Sequence, residues 1–224
     1  MSADERTPSQ ASLTFSASQT FVRPMQRAIT ALINDYHQAV ADGDAEERTS
    51  LRRTIMTQLE EFDATNGDGH AYPAWVRPVM RANAHAAFGE LDEAIRYETE
   101  GASHAELDMH KAISANNLSD HMRRLDRHAD AIAFARDAYS LWPENDGIIV
   151  NLALALYKAG EKAAAGGIIE RLAELSPPGQ AGSILDAHLR FESEMREMDD
   201  LPEVQSLIRR ASTEQDAGES GMTK

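Results

Sequence analysis

Two successive stretches of this chain carry one pattern. Laid under each other at an offset of 34 residues, Ala112–Pro143 and Asp146–Pro177 match Leu118 with Leu152, Ser119 with Ala153, Met122 with Leu156, Ala131 with Ala165, Phe134 with Ile168, Leu141 with Leu175 and Pro143 with Pro177. A fixed period of this length signals a repeat architecture, in which each unit is one supersecondary element that buries its apolar face against a neighbour. The unit reads as a helical hairpin. Small residues let its two helices approach closely, large ones fill the space between hairpins, and Pro ends the second helix because it cannot continue it.

Length and pattern together resemble the tetratricopeptide repeat, a helix–turn–helix unit. The family has small residues at its eighth, twentieth and twenty-seventh positions and Pro near its thirty-second. Counted from Ala112 these places hold Ser119, Ala131, Ala138 and Pro143; counted from Asp146 they hold Ala153, Ala165, Leu172 and Pro177. Only Leu172 departs from small, which implies a wider helix spacing there. An earlier unit starts at Trp75, where Gly89-Glu90-Leu91-Asp92-Glu93-Ala94-Ile95 resembles the family's turn and second-helix start and Ala82, Ala94 and Gly101 fill the small positions. The step from Trp75 to Ala112 exceeds the period by three residues, so the connection near Ser103–Leu107 is expected to be extended. The resemblance covers residues 75–177 and extends weakly to 24–63 and 181–198. It implies an all-α fold, a right-handed α-solenoid of tetratricopeptide-like hairpins with flanking capping helices.

The flanks are less regular. Residues 1–20 are polar and low in complexity and are expected to be disordered. Residues 21–70 read as an N-terminal hairpin, a degenerate repeat or a cap. It has helices near Pro24–Ala41 and Asp44–Asp63, broken by Asp42-Gly43-Asp44, with Ile29, Leu32, Ile33, Tyr36 and Val40 on one stripe and Leu51, Ile55, Leu59 and Phe62 on the other. Residues 71–200 hold the array and a C-terminal capping helix near Ala181–Met198, whose stripe is Ile184, Leu185, Leu189, Met195 and Met198. Residues 201–224 hold a short helix opened by Pro202, with Val204, Leu207 and Ile208 on one side, and a disordered tail.

Composition narrows the function. With 37 acidic and 22 basic side chains the net charge is −15, which opposes a nucleic-acid surface. The chain has no Cys, hence no disulfide and no thiolate metal site. It shows neither a signal peptide nor a membrane-spanning stretch, so a cytoplasmic protein is expected. The eight His lack the i, i+4 spacing of a zinc site, and the loop beginning at Asp63 has Gly67 and Ala74 where a calcium loop needs oxygen ligands. Gly101-Ala102-Ser103-His104-Ala105 follows a helix, whereas a nucleophile elbow needs a strand there. Gly166-Gly167 lies inside a predicted helix, where tight packing or local softness would account for it. No metal, cofactor or catalytic group is expected.

The resemblance instead directs attention to a groove. In the family, the first helices of successive units line a concave surface that holds a peptide. The corresponding positions here include Asn83 in the first unit, Asn116, Asn117, Asp120, Arg123 and Arg124 in the second, and Asn151, Leu154, Tyr157 and Lys158 in the third. An Asn amide both donates to and accepts from a peptide backbone, although the same amide also serves to tie helix to helix. One family branch clamps a chaperone's C-terminal carboxylate. Asn83 and Asn117 match that branch, but Val79, Gly147 and Asn151 stand where its Lys, Lys and Arg belong, so that clamp is incomplete.

Three bases, Arg123, Arg124 and Lys158, against one acid, Asp120, stand out in so acidic a chain. They imply a protein or peptide partner with acidic residues beside an apolar anchor that Leu154 and Tyr157 would receive, while Asn117 and Asn151 hold its backbone. The expected function is thus a non-enzymatic protein-binding adaptor. A self-associating scaffold, a homo-oligomer in which one copy's groove takes another's terminal segment, is the alternative, and a secretion-type chaperone a narrower form of the first.

Overall fold

The structure, a computed structural model, describes residues 23–175 and 195–209, and every regular element among them is helical. The elements are α1 (Pro24–Ala41), α2 (Ala45–Ala64), the single turn α3 (Asn66–Gly69), α4 (Pro73–Ala87), α5 (Leu91–Ser103), α6 (Asp108–Arg124), α7 (His128–Leu141), α8 (Asp146–Lys158) and α9 (Lys162–Leu175). A 3-10 helix (Met195–Asp200) and α10 (202–209) follow. The helices pack in neighbouring pairs, α1 with α2, α6 with α7 and α8 with α9. The chain forms two compact units, one ending at Tyr97 and the other starting at Glu98, so the boundary falls inside α5. None of the described helices is long and apolar enough to cross a membrane.

In the first unit the α1–α2 hairpin buries Ile29, Ile33, Tyr36 and Ala39 against Leu51, Ile55, Leu59 and Phe62. Val40, expected in the α1 stripe, is instead 45% exposed. The buried positions step by four, three and three from Ile29 to Ala39, and Val40 lies about 100° further round the helix, on the solvent side. Asp44 caps α2 by accepting from the Glu47 amide at 2.9 Å. The loop after α2 is more constrained than a turn of flexible residues. Asn66, Gly67, Asp68 and Gly69 all have positive φ, between 53° and 71°. This left-handed turn is built wholly of Asn, Gly and Asp, the residue types that enter that region at least cost. It delivers the Asp68 carboxylate to the Met25 amide, 3.0 Å away, so one loop closes the start of a helix 43 positions earlier. Asp63 faces Arg77 at 3.0 Å and also meets Arg81, which fastens the end of α2 to α4. Ala82 on α4 and Ala94 on α5 have no exposed surface, and Tyr97 stacks on His85 with ring centroids 5.3 Å apart.

In the second unit the small positions of the repeat lie where close helix contact requires them. Ser119, Ala131, Ala138, Ala153 and Ala165 are all fully buried, and Leu172, the one large residue in the set, is 1% exposed. Ala112, Ala138 and Ile148 form a core joining α6, α7 and α8, with Ala115, Tyr139 and Trp142 packed around it. The expected extended connection near Ser103–Leu107 is not found: the link from Ser103 to Asp108 has the same length as that from Leu141 to Asp146. The longer step is taken up by α6, which begins at Asp108, four residues ahead of the position from which the unit was counted, and runs 17 residues against 13 for α8. Gly166 faces the flexible end of the Glu203 side chain. A Cβ there would lie 2.6 Å from the Glu203 carboxyl carbon, whereas one on Gly167 would meet nothing within 4 Å.

The expected capping helix near Ala181–Met198 lies mostly outside the described residues, Ile184, Leu185 and Leu189 included, as do the predicted disordered segments 1–20 and 211–224. Its last part differs from expectation: Met195–Asp200 is a 3-10 helix rather than α. Pro202 disfavours helical geometry at Leu201, where the 3-10 helix has ended. Met198 is fully buried. α10 follows as predicted, with Val204 fully buried and Leu207 7% exposed.

One turn closes four hairpins. Its pivot residue is Gly43, Gly89, Asp126 or Gly160, with φ of 72°, 78°, 57° and 82°. In each, the amide just after the pivot reaches back five residues: Asp44 to the Ala39 carbonyl at 3.0 Å, and Glu90 to His85, Arg127 to Met122 and Glu161 to Leu156 at 2.9 Å each. This is the Schellman closure of a helix end. Gly160→Ala should therefore cost about 1 kcal/mol, and Asp126→Gly should gain up to about 1 kcal/mol, in thermal or urea unfolding, because a Cβ is strained at left-handed φ. Ala131→Leu and Ala165→Leu should each cost about 1–3 kcal/mol by overpacking the helix contact. An unchanged melting temperature in both Leu variants would mean that the contact is not tight.

Candidate binding surface

The expected groove residues form four arrangements in the second unit; Asn83 is in the first unit, half-buried on α4. The first is an amide pair. Asn151 on α8 donates through Nδ2 to the Asn116 side-chain oxygen at 3.0 Å and to its backbone carbonyl at 3.2 Å, and both residues are 7% exposed. These amides tie helix to helix rather than facing a ligand backbone. Leu154 is also withdrawn. It is fully buried, as are nearly all residues from Gly147 to Leu156, and it presents no surface to an incoming side chain. An apolar helix that packs against α6, α7, α9 and the 3-10 segment spends its apolar positions on its own neighbours.

The second arrangement is the charged end of α6. Arg123 is 6% exposed and pairs with Asp120 one turn back, and Arg124 reaches the other Asp120 oxygen at 3.8 Å. Burial pushes the Asp120 carboxyl up, but His121, Arg123 and Arg124 around it outweigh that and hold it at about 2. Arg123 is thus a structural cation, since a buried guanidinium without its carboxylate would be costly. Arg124 is exposed and remains on the surface.

The third arrangement brings together what was expected and what was not. At the end of α8, Tyr157 and Lys158 meet the chain's own acidic segment. The Tyr157 hydroxyl donates to Asp200 at 2.9 Å, Lys158 Nζ meets Glu197 at 2.6 Å, and Lys162 Nζ, at the start of α9, meets the second Asp200 oxygen at 2.6 Å. Lys162 also lies over the Tyr157 ring, 4.7 Å from its centroid. Lys162 first and Tyr157 second hold the Asp200 carboxyl below the usual range, and Asp200 in turn raises the Lys162 ammonium. Lys162 was missed because it opens the second helix of its hairpin, outside the groove positions. Of the segment Glu197-Met198-Asp199-Asp200-Leu201, the first two residues were read as the end of a capping helix, and none lies at a groove position.

Asn117, the remaining expected contact, donates to Glu98 at 3.2 Å. Glu98 is fully buried on α5, and its Oε1 has no hydrogen-bond partner among the described residues. Burial lifts this carboxyl to about 8, against the opposing pull of Ser114 and Asn117. The signal was present in the sequence. Glu98 falls between Ala94 and Gly101 on the close-contact face, where the following units carry the fully buried Ala135 and Ile169. Among the described residues, no three His, Asp or Glu side chains gather as a metal site would need.

Compared with models of protein families and with curated proteins, the chain matches none.

Glu98 makes stability depend on pH with a definite sign. Its folded pKa of about 8 exceeds the 4.5 of an ordinary glutamate, so the folded state keeps a proton that the unfolded state releases. Stability should fall as pH rises through that window. Glu98→Gln retains the shape and the neutral hydrogen-bonding group. Thermal unfolding at the two ends of the window should show the wild type losing more stability than the Gln variant; parallel pH profiles would mean that Glu98 is ionised in the folded protein.

Proposed function

We propose that this chain is a tetratricopeptide-like repeat module, a right-handed solenoid of hairpins that works as a non-enzymatic adaptor. Its ligand is a segment of a protein partner carrying carboxylates beside an apolar anchor. The pairing of helices, the fully buried small residues at the family's positions and the recurrent turn support the repeat reading. The observation that carries the binding reading is at the end of α8. There Tyr157, Lys158 and Lys162 engage two carboxylates that flank the buried Met198. A basic, aromatic rim beside an apolar anchor site is a recognition chemistry in which the anchor supplies most of the energy and the charges set rate and salt response. Arg124, exposed on α6, adds a further cation for a longer ligand.

The same contacts favour a second reading. The segment they hold belongs to this chain, so a second copy's segment carries the chemistry needed to replace it, and the protein would then be a self-associating scaffold. Size exclusion with light scattering separates the two: the adaptor elutes at 24.6 kDa, the scaffold at a multiple that grows with concentration. For the adaptor, immobilised full-length chain and its Lys158→Glu/Lys162→Glu form serve as parallel baits in cell extract. A protein retained by the first at low salt, released by added salt and lost from the second is the expected result. Identical retention by both baits would remove the end of α8 from the proposed function.

A further inference from the structure

We propose that Glu197–Leu201 is a built-in pseudoligand: it occupies the partner site at the end of α8, and a partner segment of like chemistry must displace it. The inference rests on reading that end of α8 as the partner site. The segment offers in order a carboxylate, a buried apolar side chain, two carboxylates and a second buried apolar side chain, Leu201, which is 4% exposed. This is the chemistry that the surface itself selects. Lys158 takes the first carboxylate, Lys162 and Tyr157 take the third, and the apolar side chains between and after them are enclosed. The partner is thereby specified as a segment of another protein with a carboxylate on each side of an apolar anchor.

The attachment joins superficial polar pairs to a buried apolar hold. Its polar contacts are at the tips of side chains. The Lys162 and Asp200 side chains are 53% and 55% exposed, and Lys158 and Glu197 are 24% and 51% exposed. Such pairs are weakly stabilising and yield to salt. Met198, Leu201, Val204 and Leu207 supply the apolar hold. Exchange for a like segment is close to balanced, because each segment buries on arrival what the other exposes on departure. The internal segment wins in the absence of a partner because its attachment to the same chain gives it a high effective concentration. A partner therefore sees its affinity reduced by the fraction of time the site is closed. The close approach of Glu203 to Gly166 marks where α10 lies against α9, so release of the segment also uncovers the Gly166 face.

The probe is a fluorescent synthetic peptide of residues 195–209, titrated by anisotropy into three full-length chains. These are the wild type, Glu197→Lys/Asp200→Lys, and the charge-swapped chain that adds Lys158→Glu/Lys162→Glu. Glu197 and Asp200 are exposed, so the first variant keeps its fold, checked by helical circular dichroism. The expected result is binding to Glu197→Lys/Asp200→Lys about tenfold tighter than to the wild type, as for a site closed about nine-tenths of the time. The charge-swapped chain should lose it, since its internal segment is paired again and its site repels the acidic peptide. Equal affinity for the first two chains, no binding to either, or full binding to the charge-swapped chain overturns the proposal. Hydrogen exchange on the wild type gives a second reading. Amides of residues 202–209 should exchange faster than those of α8, and equal protection would make the segment an integral cap. That outcome, together with a partner lost from the Lys158→Glu/Lys162→Glu bait, would leave the adaptor standing without the pseudoligand. Peptide binding without any captured partner would do the reverse.

Discussion

The architecture depends on pairs of helices that lie too close for anything larger than a small side chain between them. Ala82 and Ala94 mark such contacts in the first unit, and Ser119, Ala131, Ala138, Ala153 and Ala165 in the second, all without exposed surface. Close approach removes room for apolar volume at the contact, so the larger residues work elsewhere: Ile148 joins α6 and α7 to the next helix. It also demands an abrupt reversal between helices, which left-handed residues at Gly43, Gly89, Asp126 and Gly160 supply. Contact and turn are two consequences of the same geometry, and neither holds without the other.

Charge is arranged against the grain of the composition. A chain with 15 more acids than bases has a surplus of carboxylates, and the structure spends several of them on its own cations. Asp63 engages Arg77 and Arg81, Asp120 engages Arg123 and Arg124, and Glu197 and Asp200 engage Lys158 and Lys162. These sets differ in accessibility. Arg123 is enclosed and fixed, whereas the lysines at the end of α8 are paired at the surface, where a competing carboxylate can reach them. Glu98 stands apart, a carboxyl with no cation beside it, kept neutral by burial and held by an amide and a hydroxyl.

How much of this was legible follows from which signals are local. Helix pairs, their boundaries and the buried small positions were readable because a 3.6-residue periodicity and a 34-residue offset both act along the chain. Where the reading slipped, it did so by one residue in phase, as at Val40 and Ala39, or in the type of helix, as where the end of an expected α-helix is a 3-10 turn. The groove was read by analogy of position, which names candidates but not what faces them. Asn116 and Asn151 were placed correctly on adjacent helices, yet sequence position does not say that two amides will satisfy each other. Leu154 was named as a receiver of apolar groups, but α8 is apolar on so many sides that its own neighbours enclose it. The segment that meets the end of α8 is acidic and apolar. That this segment belongs to the same chain depends on a contact between residues 43 apart, Tyr157 and Asp200, which no periodicity announces.

The left-handed turn at Asn66–Gly69 has a consequence for the order in which the chain acquires its structure. Hairpin contacts are local and form early, since little loop entropy is spent in closing them. The Met25 amide at the head of α1 is different, because its acceptor is the carboxylate of Asp68. During synthesis, which runs from the N-terminus, α1 and α2 can pair as soon as both have emerged, but the first turn of α1 stays frayed until the four left-handed residues after α2 have been made and folded over. The N-terminal hairpin is therefore finished from its far end, and the head of α1 is closed only after α2 has been made.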